Sequence, residues 1–189
     1  LPGMRPAIIA SIVVLAAMDL LIAYLPVLGE ERGIAPQTIG IAVGTIPVLG
    51  GWGATQWLIP WTNAIVGKAS PQAMAFTAIM RSGGATIGGL VGGYLANLAG
   101  RRTTYFLVSL SSLALGQFIY LALTPESDLF FPSVFILGLI STIFFGWLPL
   151  YLPELFPTEA RSTGSGVSFN SGRILAAIGV LFAGVITKA

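Results

Sequence analysis

The chain has 189 residues, 55% hydrophobic and only 8% charged, and its mean hydropathy is +0.89. Soluble domains carry about 25% charged residues, so this composition excludes a water-exposed surface over most of the molecule. A net charge of +2, dispersed along the chain, excludes a nucleic-acid partner, and the absence of cysteine and histidine excludes disulfide frameworks and the commonest metal sites.

A hydrocarbon core of about 30 Å requires about 20 apolar residues per helix, and on that measure the sequence predicts an all-α integral membrane protein with about six transmembrane helices. The first span covers residues 6–28 and holds Asp19, the one acid inside a span. A carboxyl in lipid is stable chiefly when neutral or paired, so Asp19 is a candidate proton carrier, with an ion pair to an arginine as the alternative. A polar link with Glu30, Glu31 and Arg32 follows.

The second span, residues 41–66, contains Pro47, several glycines and a polar, aromatic patch at Gln56, Trp57, Trp61 and Asn63. Gln56, Pro60 and Asn63 fall on one helical face that can line a substrate cavity, while the tryptophans also suit a membrane interface.

Ser70 as N-cap and Pro71 in the first turn predict the start of a third span over residues 72–98. Glycines 84, 88 and 92, beside a row of Ala85, Gly89 and Gly93, give small residues at every fourth position, the pattern that lets a neighbouring helix approach closely. Arg81 lies near mid-depth, about 13 Å along the helix at 1.5 Å per residue. A charge there costs about 2.5–3.5 kcal/mol, so Arg81 must face protein or a water-filled cavity. Its planar fork suits a substrate carboxylate or phosphate, and a structural ion pair is the alternative.

The fourth span covers residues 104–123, the fifth 129–152 after a link in which Ser127 or Asp128 can cap, and the sixth 163–186. With alternating spans, the odd links carry Arg32, Arg101, Arg102 and Arg161 against Lys68 on the even links, which puts the odd links in the cytoplasm.

Two motifs stand apart from this periodic background. Residues 147–173 read WLPLYLPELFPTEARSTGSGVSFNSGR, an apolar run stopped at Pro149 and Pro153, a compact link with Glu154, Glu159 and Arg161, and a Gly/Ser-rich helix reaching Gly172 and Arg173. Residues 93–102 read GYLANLAGRR, with Gly93, Asn97, Gly100, Arg101 and Arg102. The first resembles the loop between the tenth and eleventh helices of major facilitator superfamily transporters, and the second resembles that superfamily's signature loop. Over roughly residues 51–186 the chain is most similar to the superfamily's proton-coupled metabolite, aromatic acid and sugar carriers.

The resemblance implies a secondary active transporter in the cell (inner) membrane, multi-pass, working by alternating access without a cofactor. Its partners are then a small organic substrate, with a carboxylate favoured, together with protons, the lipid bilayer and the other half of the transporter. The same resemblance gives Arg173 a structural or gating role, with substrate contact as the lesser alternative, and makes the signature loop part of a conformational latch. Asn97 stands where the family usually has an acid and Leu98 where a base is common, so the latch is expected to be weaker or to rest on Glu154 and Glu159.

Residues 44–189 correspond to the seventh to eleventh helices of such a carrier, which makes the expected half-bundle incomplete. Residues 1–43 form an extra transmembrane helix and polar link, either the family's sixth helix or a segment joined from elsewhere. An enzyme would require a catalytic constellation, and the sequence has no paired acids on one helix and no phosphate loop. A structural or assembly membrane protein is the alternative, but it gives no reason for Arg81 at mid-depth.

Overall fold

The computed structural model describes residues 57–68 and 70–186, with short pieces upstream at 33–35, 38–39, 41 and 55. Asp19, Gln56, the link acids Glu30 and Glu31, and the first predicted span lie outside the described residues. All regular structure among the described residues is helical.

Helix α1, Leu58–Val66, buries Leu58, Trp61, Thr62 and Val66, a stripe at helical spacing. Helix α2, Gln72–Ala99, has 28 residues and is therefore about 42 Å long at 1.5 Å per residue. It ends at Gly100, whose φ of +81° would strain any residue carrying a Cβ. That single residue joins α2 to α3, Arg101–Ala122. Helix α4, Phe130–Thr142, follows, and α6, Arg161–Ile186, closes the described chain.

Between α4 and α6 the backbone is irregular: a 3₁₀ turn Ile143–Gly146, a short helix α5, Leu148–Tyr151, and further 3₁₀ turns Leu152–Leu155 and Thr158–Ala160. Here the structure corrects the expectation that Pro149 and Pro153 stop the helix. Each lies in the first turn of a new helical piece, where the missing N–H costs nothing. The change from α to 3₁₀ follows Ser141 and Thr142, whose hydroxyls both reach back to the carbonyl of Gly138, at 3.3 and 2.7 Å. Such back-bonding bends helices. No side-chain cap starts α2 or α4, and the N-cap positions are Pro71 and Leu129 rather than Ser70, Ser127 or Asp128.

The most extensive helix contact is α2 against α4, and it is made through glycine. A Cβ on Gly84, Gly88 or Gly92 would fall on the carbonyl oxygen of Phe135, Leu139 or Ile143, respectively. The fit is reciprocal: a Cβ on Gly138 would meet the carbonyl of Arg81, and one on Gly146 the carbonyl of Gly89. Two apolar clusters flank this seam. One joins Leu58 and Trp61 of α1 to Ile119 and Tyr120 of α3 and Phe130 and Val134 of α4, with the Trp61 and Tyr120 rings 5.1 Å apart. The other gathers Ala96, Tyr105, Val108, Phe144, Trp147 and Leu148 at the opposite end.

The outer surface is apolar. On α2, Leu90 is 80% exposed while its neighbours Gly88 and Gly92 are buried, so large side chains point outward and small ones inward. That arrangement suits a lipid surround, where apolar surface needs no burial and packing depends on close approach. Two described helical stretches, Thr103–Ala122 and Phe130–Leu155, are long and apolar enough to cross a membrane.

Replacing Gly88 by alanine is expected to destabilise the full-length protein by about 1–3 kcal/mol, the usual cost of overpacking a fitted interface. Gly89→Ala, whose Cβ would meet only the Thr142 methyl at 4.0 Å, should leave stability unchanged or slightly raised. Thermal unfolding in detergent compares the two directly.

Candidate functional site

Arg81 lies on α2 three residues before Gly84, and its carbonyl is covered by Gly138 of α4. The seam that joins the two helices therefore sets the position from which the guanidinium projects. It projects into a cavity of about 510 Å³ between α2, α4 and α6. From α2 come Arg81, Ser82 and Thr86, from α4 Ser141 and Thr142, from the 3₁₀ turn Phe145, and from α6 Phe169 and Arg173, while Thr55 reaches the cavity from the segment before α1. That volume falls in the range of about 300–1,000 Å³ typical of small-molecule sites.

The electrostatics of this cavity are one-sided. Two guanidinium groups line it, and none of its described lining residues is acidic. The Arg81 Nε is buried and has no hydrogen-bond partner among the described residues. Arg173 sits with its guanidinium carbon 5.1 Å from the centre of the Phe169 ring, and that ring meets Phe145 edge-on at 6.0 Å. The hydroxyls are engaged along their own helices, Thr86 donating to the Ser82 carbonyl at 2.9 Å and Thr142 to that of Gly138. Guanidinium donors of this kind form strong hydrogen bonds with anionic oxygens.

A second polar constellation joins the α2–α3 link to the link before α6. Arg101 donates from Nη1 to Glu154 Oε2 at 2.5 Å and from Nη2 to Oε1 at 3.4 Å, a two-pronged pair. Its guanidinium also lies 5.0 Å from the centre of the Tyr151 ring. The hydrogen bond to Glu154 raises the Arg101 pKa above its ordinary value, so Arg101 is charged at any working pH. Nearby, Arg161 Nε donates to the Phe156 carbonyl at 3.4 Å and tightens the turn that enters α6. Both side chains of the Arg101–Glu154 pair are about half exposed. Such an exposed pair contributes little to stability.

The residues singled out from sequence separate into three groups. Arg81 and Arg173 meet in one cavity. Arg101 and Glu154 meet in the link pair, with Gly100 as the turn that presents Arg101 and Arg102 following it in α3. Asn97 is exposed near the end of α2, Glu159 is exposed in the last 3₁₀ turn, and Gly93 faces Gly146, whose carbonyl a Cβ would meet at an ordinary 3.5 Å. The expected partnership of Arg81 with the second-span patch is not formed by its described members. Trp57 packs against the α1, α3 and α4 cluster and Asn63 is exposed, and neither lines the cavity. Sequence reasoning missed Thr55, Ser82, Thr86, Ser141, Thr142 and Phe145 as lining residues, and took Phe169 only as a neighbour of Arg173 on its helix face. Only Phe169 carried a local signal, one turn before Arg173 on the same helix.

Comparison with known proteins adds an independent line. The sugar (and other) transporter family matches residues 53–189. A putative metabolite transport protein of Haemophilus influenzae is 26% identical over 161 residues, covering 85% of this chain and 39% of that protein. A cis,cis-muconate transport protein of Acinetobacter baylyi is 27% identical over 134 residues, covering 68% and 30%. An inner membrane metabolite transport protein of Escherichia coli is 35% identical over 89 residues, covering 46% and 20%. The chain thus spans at most 39% of the length of these relatives. No solved structure matches it.

For the link pair, reversing either charge alone, Arg101→Glu or Glu154→Arg, should lower the melting midpoint in detergent by less than Gly88→Ala does. The double reversal should restore it, which separates a direct pair from two independent surface charges.

Proposed function

The chain belongs to the sugar (and other) transporter family of the major facilitator superfamily, and on that premise we propose that it is part of a secondary active carrier moving a small organic carboxylate by alternating access. That family is one of membrane transporters, not enzymes. The observation that carries the substrate reading is Arg81. A guanidinium whose Nε is buried without a partner, beside a cavity with no acid among its described lining residues, is a group awaiting an anion. A carboxylate can accept two parallel hydrogen bonds from it, and the low local dielectric makes each stronger than in water. One relative of this chain is named a muconate transport protein and another a 4-methylmuconolactone transporter, which agrees with small organic substrates.

Most of the cavity wall comes from α2, α4 and α6, and Thr55, upstream of α1, also borders it. In the proposed carrier the remaining wall comes from the other half, and substrate is held near the midplane between halves. Residues 44–189 then take the places of the seventh to eleventh helices, within about six spans in the inner membrane. The links with Arg101, Arg102 and Arg161 lie in the cytoplasm, in keeping with the bias of basic residues. There the Arg101–Glu154 pair acts as a latch for one state, with Glu154 doing the work of the acid that Asn97 does not supply. Gln56, Trp57 and Asn63 contribute to the substrate path in a conformation other than this one. Asp19 carries the coupled proton, which makes transport a symport.

The test is uptake into proteoliposomes by the full-length carrier. Carboxylate uptake should rise with an inward proton gradient, and Arg81→Gln should raise KM about ten-fold or more, since one charged hydrogen bond contributes about 1.5–3 kcal/mol. Normal carboxylate uptake by the variant, or selective uptake of neutral sugars by the wild type, overturns the reading.

A further inference from the structure

Arg173 is the part of the cavity that a single carboxylate leaves unexplained. It comes from α6, whereas Arg81 comes from α2, and both line the same space with no acid among the described lining residues. Two positive charges lining one cavity, Arg81 half-buried and Arg173 exposed, repel, and a monoanion neutralises only one of them. The manner in which Arg173 is held is informative as well. Its guanidinium lies over the Phe169 ring, itself braced edge-on by Phe145, so it is positioned by aromatic faces and its in-plane N–H groups remain available to an acceptor.

We propose that this cavity takes a small dicarboxylate, with Arg81 holding one carboxylate and Arg173 the other. The proposal rests on the reading that Arg81 meets the substrate, and it adds the specificity-determining role of Arg173. Two guanidiniums projecting from different helices into one cavity can each receive a separate carboxylate, and a compact dianion such as a phosphate monoester is the competing ligand that the test includes. The lining supplies a further donor. Ser141 and Thr142 share the Gly138 carbonyl, and the Ser141 contact is the longer, at 3.3 against 2.7 Å. The Ser141 hydroxyl can therefore turn toward a carboxylate at little cost, leaving Thr142 to satisfy the backbone.

The experiment compares a labelled short-chain diacid with its monomethyl ester in proteoliposomes containing the full-length carrier, with a phosphate monoester as competitor. The wild type should show a KM for the diacid about ten-fold below that for the monoester, by the weight of one charged hydrogen bond. Arg173→Gln should raise the diacid KM about ten-fold and the monoester KM far less, collapsing the preference, and Arg173→Lys should recover part of it. Equal handling of diacid and monoester by the wild type overturns the proposal. So does a fall in maximal rate for both substrates in Arg173→Gln at unchanged KM, which marks a gating role, or a phosphate monoester that displaces the diacid. If carboxylates are carried with dependence on Arg81 but indifference to Arg173, the carboxylate carrier stands and the dicarboxylate site alone fails. If the wild type carries no carboxylate, both fail together.

Discussion

The structure depends on the contact between two backbones. Along α2, Gly84, Gly88 and Gly92 lie against the carbonyls of Phe135, Leu139 and Ile143, and Gly138 and Gly146 return the contact from the other side. In lipid, apolar side chains gain nothing by leaving their surroundings, so association between helices has to come from close packing and from weak contacts between Cα–H groups and carbonyl oxygens. Glycine alone permits that approach. Through the contact of Gly138 with the Arg81 carbonyl, the same seam places the one charged residue of α2.

A guanidinium at mid-depth is costly unless its surroundings replace water. Here they do so only in part, since the cavity is lined by hydroxyls, aromatic faces and a second arginine, and the Arg81 Nε is left buried without a partner among the described residues. At the solvated end the balance differs. Arg101 and Glu154 pair in good geometry yet stay about half exposed, so water screens them and the pair can break and reform. An unpartnered guanidinium nitrogen within the bundle and an exposed ion pair at its edge are thus held in two different electrostatic settings.

The surface pattern of α2 also explains why amphipathicity is a poor guide here. Leu90, Tyr94 and Leu98 are exposed and Gly84, Gly88, Gly92 and Ala96 are buried, the reverse of a helix packed in water. The packing face was legible from the spacing of small residues. Its partner was not, because the carbonyls that receive those glycines belong to a segment with no comparable repeat.

What the sequence by itself determined was local. Where a third span is expected over 72–98 there is a helix, Gln72–Ala99, because Pro71 at its start and Gly100 at its end act within a turn of themselves. The segments expected as fourth and sixth spans, 104–123 and 163–186, form the helices Arg101–Ala122 and Arg161–Ile186. Tertiary structure decided everything that joins distant residues. It paired Arg101 with Glu154 across 53 positions, brought Arg173 to the cavity of Arg81, and left Trp57 in the core and Asn63 at the surface. It also turned the proline-rich run into a string of short helical pieces instead of a stop. Capping and hydrophobic length are properties of a few consecutive residues, whereas a cavity exists only once several helices have chosen their rotation about one another, and here that choice was made by which glycines meet which carbonyls.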